Sequence, residues 1–88
     1  MSRPKSLRTD APRTVTLYGR AGCCLCEDAL AVLERVRVRT PFTLYQQDIE
    51  ADDRLLLTYL ERIPVVAIDG LDVFELFVDE QAFERAVE

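Results

Sequence analysis

Gly22-Cys23-Cys24-Leu25-Cys26 is the most informative stretch of this chain. It holds a Cys-x-x-Cys pair between an apolar, strand-like run ending at Tyr18 and an amphipathic, helix-like run beginning at the cysteines, with Gly19 and Gly22 loosening the turn. A helix that starts near Cys23 brings Cys23 and Cys26 one turn apart on the same face, within reach of a disulfide. Cys23 then lies at the partially positive helix N-terminus, where a thiolate is favoured over a thiol. The motif therefore reads as a nucleophile with a second thiol beside it.

Composition narrows what those thiols do. Eighty-eight residues make one small domain, and at 49% hydrophobic content it is a folded one. Three cysteines within four positions cannot staple a fold, because the loop a disulfide would close is minimal. Their clustering favours redox or metal chemistry. The formal charge of −5 is uneven: residues 1–13 carry Arg3, Lys5, Arg8 and Arg13 against Asp10, so residues 14–88 sum to −8. An acidic body argues against nucleic acid as a partner. No apolar run approaches the roughly 20 residues of a membrane span, and the start lacks the apolar centre of a secretory signal, so the expected location is the cytoplasm. Residues 1–13 are expected to be a disordered basic leader and residues 14–88 the domain.

On the N-terminal side of the motif, Thr14-Val15-Thr16-Leu17-Tyr18 is rich in β-branched and aromatic residues and predicts the first strand. On the C-terminal side, Cys26, Ala29, Leu30, Leu33 and Val36 recur at helical spacing, and Pro41 stops the helix. Phe42 to Asp48 predicts a second strand, with Phe42 and Leu44 on one face and Thr43 and Tyr45 on the other; a strand-helix-strand succession makes it parallel to the first. Asp52 caps a second helix through Glu61, carried by Leu55, Leu56, Tyr59 and Leu60. Val65–Ile68 predicts a third strand buried on both faces. Asp69-Gly70 signals a hairpin, so a fourth strand, about Asp72 to Phe77, returns antiparallel. Asp79 caps a last helix with Phe83, Ala86 and Val87 inward. The order β-α-β-α-β-β-α predicts an α/β fold, a four-stranded mixed sheet with helices on both faces.

This order, with Cys-x-x-Cys between the first strand and first helix and Ile63-Pro64 opening the third strand, resembles the thioredoxin fold. Within it, the chain is similar to glutaredoxins, in particular to small bacterial glutaredoxin-like proteins with a Cys-x-Leu-Cys site. The matching stretches are Leu17–Asp28, Asp48–Asp52 and Arg62–Val66. The resemblance implies that Cys23 attacks and Cys26 resolves, that Pro64 is cis, and that the backbone of Ile63 pairs with an extended substrate. Two departures stand out. Thioredoxins have Trp beside the cysteines and Gly-Pro between them, where this chain has no Trp and has Cys24-Leu25. Glutaredoxins carry Gly-Gly after the fourth strand to hold a glutathione carboxylate, whereas no glycine follows Gly70 here and Glu75 and Asp79 would repel an anion, which argues against glutathione as co-substrate.

The expected function is a thiol–disulfide oxidoreductase exchanging through Cys23 and Cys26, with no cofactor beyond its own redox-active disulfide. Arg20, three residues before Cys23, either stabilises the thiolate, receives a substrate carboxylate, or is simply solvated; Arg62 has the same readings. Cys24 is an exposed bystander or a competing third thiol. With no histidine in the chain, imidazole cannot act as a base on Cys23. The expected partners are a disulfide-containing protein or small thiol substrate and a separate reductant, and the chain is expected to act as a monomer. Two alternatives belong to other classes. One is a metal or iron–sulfur site on Cys23, Cys26 and Cys24, which falls short of four ligands without a dimer or outside ligand. The other is a non-catalytic interaction module that keeps the fold.

Overall fold

Alternation along β1 (Thr14–Gly19) sends Val15 and Leu17 into the interior and leaves Thr14 on the surface. The computed structural model, which describes residues 13–88, continues with α1 (Cys24–Arg39), β2 (Thr43–Asp48), a one-turn 3-10 helix (Ile49–Ala51), α2 (Asp53–Tyr59), β3 (Val65–Ile68), β4 (Leu71–Glu75) and α3 (Glu80–Val87). The sheet order is β2-β1-β3-β4. β1 and β2 are parallel, joined by a crossover through α1, and β3 runs antiparallel to both β1 and β4. The predicted α/β architecture is thus present.

The first twelve residues, which hold most of the expected basic leader, lie outside the described residues. Arg13, assigned to that leader, is joined to the domain: its carbonyl accepts the Thr43 N–H at 2.9 Å and its guanidinium pairs with Asp69 at 2.9 Å. Asp69 also accepts the Thr14 N–H at 3.0 Å, and these two partners hold its carboxyl below the usual range.

The main core lies between the sheet and the helices α1 and α3. Leu17, Leu33, Val36, Val66 and Phe83 meet there, and Phe83 takes Phe42 edge-on at 5.4 Å between ring centroids. Arg35 and Arg39 of α1 pair with Glu80 and Glu84 of α3 at 2.9 to 3.1 Å across the solvent side of that packing. A second, smaller cluster sits against α2: Cys26, Ile49 and Ile63, with Tyr18, Cys23, Leu55, Leu56 and Tyr59 around them. Among the described residues, no helix is long and apolar enough to cross a membrane.

Three boundaries differ from the sequence reading. The fourth strand is Leu71–Glu75, not Asp72 to Phe77, because Leu76 takes a left-handed φ of 66° and turns the chain out of the ladder. The ladder also skips Val73, which bulges β4 opposite Val66 and Ala67 and adds local twist to this edge strand. The second helix ends at Tyr59; Leu60, expected on its buried face, is its C-cap and is exposed. Phe42 lies just before β2 yet is buried, so the strand begins one residue later than expected.

Candidate functional site

Cys23 is the N-cap of α1, with extended backbone, and its sulfur accepts the Cys26 N–H at 3.3 Å. A thiol fills the place usually taken by a Ser or Asp oxygen, at the helix end where free N–H groups and the macrodipole favour negative charge. Gly22 precedes it with φ 78°, a backbone state that other residues rarely adopt. Both cysteines are free thiols, Cys23 half-buried and Cys26 buried at 7% exposure.

Burial pushes the Cys26 thiol up to about 11, and contact with Cys23 adds to the rise while the Arg20 backbone opposes it. Cys26 is thus held protonated near neutral pH, facing the sulfur of Cys23. Gly19 makes that placement possible, because a Cβ built there would stand 2.9 Å from the Cys26 sulfur.

Pro64 follows a cis peptide bond from Ile63. Ile63 packs in the same cluster as both cysteines, so the Ile63-Pro64 segment and the thiols form one wall. The Leu76 N–H donates to the carbonyls of Pro64 at 2.8 Å and Arg62 at 3.2 Å, which ties the segment to the end of β4.

The sequence model of the family described as Glutaredoxin-like domain (DUF836) matches residues 14–88. The chain belongs to that family. Protein Ne2328 from Nitrosomonas europaea is 26% identical over the whole of both chains, with a TM-score of 0.79. A structural-genomics target from X. campestris, XcR50, is also 26% identical over 82% of this chain and 92% of its own, with a TM-score of 0.70. A thioredoxin mutant from Halobacterium salinarum shares the fold at 22% identity, with 94% and 78% of the two chains covered and a TM-score of 0.66. No curated protein matches the chain by sequence.

In this glutaredoxin-like domain the remaining candidates fall in different places. Arg20 sits at the mouth of the thiol pair and is held by Glu50 at 3.5 Å, so it is neither buried nor unpartnered. It shares an open cleft of about 280 Å³ with Cys26, Glu27, Gln46, Gln47 and Asp48, on the β2 side of the motif. Arg62 is taken up by other partners: it stacks over Tyr59 at 5.1 Å and pairs with Glu75 at 2.7 Å and Asp72 at 3.4 Å. Tyr18 stacks on Tyr59 at 4.4 Å and is a packing wall behind the site. Cys24 is exposed on the first turn of α1. Sequence reasoning missed Ile49, fully buried under the site, and the clearance role of Gly19.

Proposed function

We propose that this chain is a thiol–disulfide oxidoreductase working by dithiol exchange. The observation that carries the reading is the pair itself: one sulfur at a helix N-terminus, accepting the amide of the residue that bears the second, buried sulfur. Family membership supports the fold in which such exchange occurs.

The steps follow from the two environments. The Cys23 thiolate attacks one sulfur of a substrate disulfide; the substrate S–S bond breaks, one thiolate leaves, and a Cys23 mixed disulfide forms. Cys26 then gives up its proton to solvent and attacks the Cys23 sulfur, expelling the second substrate thiolate and leaving a Cys23–Cys26 disulfide. Two electrons pass from the protein to the substrate, and a separate reductant restores the dithiol. Ile63 and Pro64 lie where an extended substrate would run beside the thiols. Glutathione is a poor fit, because the Asp79 carboxylate already accepts the Ala82 N–H at 2.8 Å at the start of α3, where an anion would need free donors. The reaction needs one chain and no other cofactor.

Among the described residues, no three Cys, Asp or Glu side chains of one chain converge on a point where a metal could sit. The deciding experiment uses Cys26→Ser, which is expected to accumulate a mixed disulfide at Cys23 with a small disulfide substrate. The unsubstituted chain is expected to release two substrate thiols per protein. Absence of any Cys23 adduct from folded Cys26→Ser protein would end the exchange reading and leave the interaction module.

A further inference from the structure

We infer that the thiol end of this protein selects disulfides whose flanking groups carry positive charge and turns away anionic ones; this deepens the exchange reading and rests on it. The acidity of the chain is not spread evenly. Segments 20–28, 48–54, 61–62 and 74–75, which form the motif and the loops, helix start and strand end around it, hold eight Asp and Glu against Arg20, Arg54 and Arg62, a net −5. The rest of residues 14–88, nearly three times as many residues, holds seven acids against four arginines, a net −3.

The three arginines at the thiol end are already engaged. Arg20 pairs with Glu50, Arg54 with Asp52, and Arg62 with Asp72 and Glu75. Glu27, Asp28, Asp53 and Glu61 have no ion-pair partner among the described residues. Glu27 is in the first turn of α1, where its N–H bonds the Cys23 carbonyl at 3.0 Å, and Asp28 follows it, so the uncompensated charge begins one turn from the reacting sulfur. Exchange releases a thiolate into this field at each step. A cationic group beside the leaving sulfur offsets that charge, whereas an anionic one adds to the repulsion.

The test uses the full chain, reduced beforehand, in single turnovers with three small disulfides: cystamine (cationic), bis(2-hydroxyethyl) disulfide (neutral) and 3,3′-dithiodipropionate (anionic). Each rate is divided by that of 2-mercaptoethanol with the same disulfide, which removes intrinsic reactivity. At about 10 mM ionic strength, where the Debye length of roughly 30 Å spans the whole thiol end, the cationic-to-anionic ratio is expected to be at least about tenfold, and at about 0.5 M to fall within roughly twofold. The combined variant Glu27→Gln, Asp28→Asn, Asp53→Asn and Glu61→Gln is expected to lower the low-salt ratio at least about threefold. The salt series on the unsubstituted protein stands even if that variant does not fold. A ratio near one at low salt, or a large ratio indifferent to salt, would overturn the inference while reaction of the neutral disulfide leaves the exchange reading standing. Failure of all three disulfides to react would instead remove the exchange reading and this inference with it.

Discussion

A β-carbon at Gly19 would come within 2.9 Å of the Cys26 sulfur and 3.2 Å of its Cβ. The end of β1 is therefore a clearance for the second thiol. Gly19→Ala must displace either the strand end or the Cys26 side chain, an overpacking cost of about 1–3 kcal/mol. Urea unfolding is expected to report that loss. If the displacement falls on Cys26, release of the second substrate thiol slows more than formation of the Cys23 adduct, which rapid-quench alkylation can separate.

The ionisation of Cys26 sets two pH dependences. Its thiol titrates near 11 in the folded chain against 9.0 for the unperturbed group, chiefly through burial. In the unfolded chain it loses its proton first, so between pH 9 and 11 the unfolded state binds fewer protons and stability falls as pH rises; the contribution is intact below 9. Unfolding curves across that window are expected to separate the unsubstituted chain from Cys26→Ser by roughly 2–3 kcal/mol at most, at about 1.4 kcal/mol per pH unit. The same ionisation limits resolution, so decay of the mixed disulfide should quicken about tenfold per pH unit on the acid side of that titration. Decay that is flat with pH would mean Cys26 is not the resolving group.

Much of this arrangement was legible before any coordinates. Cys26, Ala29, Leu33 and Val36 announce a buried helix face by spacing alone, and Asp69-Gly70 announces the hairpin, where both residues take positive φ, 52° and 88°. Gly19 reads only as a loosened turn, because a sequence does not show what approaches a missing side chain. Ile49 is a lone apolar residue in a single 3-10 turn, and one residue has no period to detect. Leu76 carries no mark of its left-handed backbone, so the sequence pattern carries β4 two residues past its end. Arg20 and Arg62 found partners 30 and 10 to 13 residues away, which only the tertiary fold brings together.

Leu76 offers a stabilising change. A leucine at φ 66° has its Cβ against the following carbonyl, a cost of roughly 1–2 kcal/mol. Its side chain is half exposed and its contribution to the fold is the N–H shared by Pro64 and Arg62, which any residue but proline retains. Asparagine tolerates the left-handed region and avoids the backbone entropy that glycine would add to the unfolded chain. Leu76→Asn is expected to gain about 0.5–1 kcal/mol, read as a rise of a few degrees in Tm for a domain of this size. A fall in Tm would show that the Leu76 side chain does more for packing than its exposure indicates.

Cys23 has a structural role and a chemical one, and two substitutions separate them. As N-cap of α1 it satisfies the Cys26 N–H, one of the donors a helix start leaves open. Serine places a better acceptor at the same position, whereas alanine supplies none and costs about 1 kcal/mol. Cys23→Ser is therefore expected to match or exceed the stability of the unsubstituted chain, with Cys23→Ala about 1 kcal/mol below Cys23→Ser. Both abolish exchange, since neither hydroxyl nor methyl attacks a disulfide at neutral pH. Thermal unfolding and a disulfide-reduction assay on the pair decide the matter together. Equal stability of the two variants would remove the cap from the account of how this thiol is held, and residual exchange in Cys23→Ser would pass the attacking role to Cys24, the exposed thiol beside it.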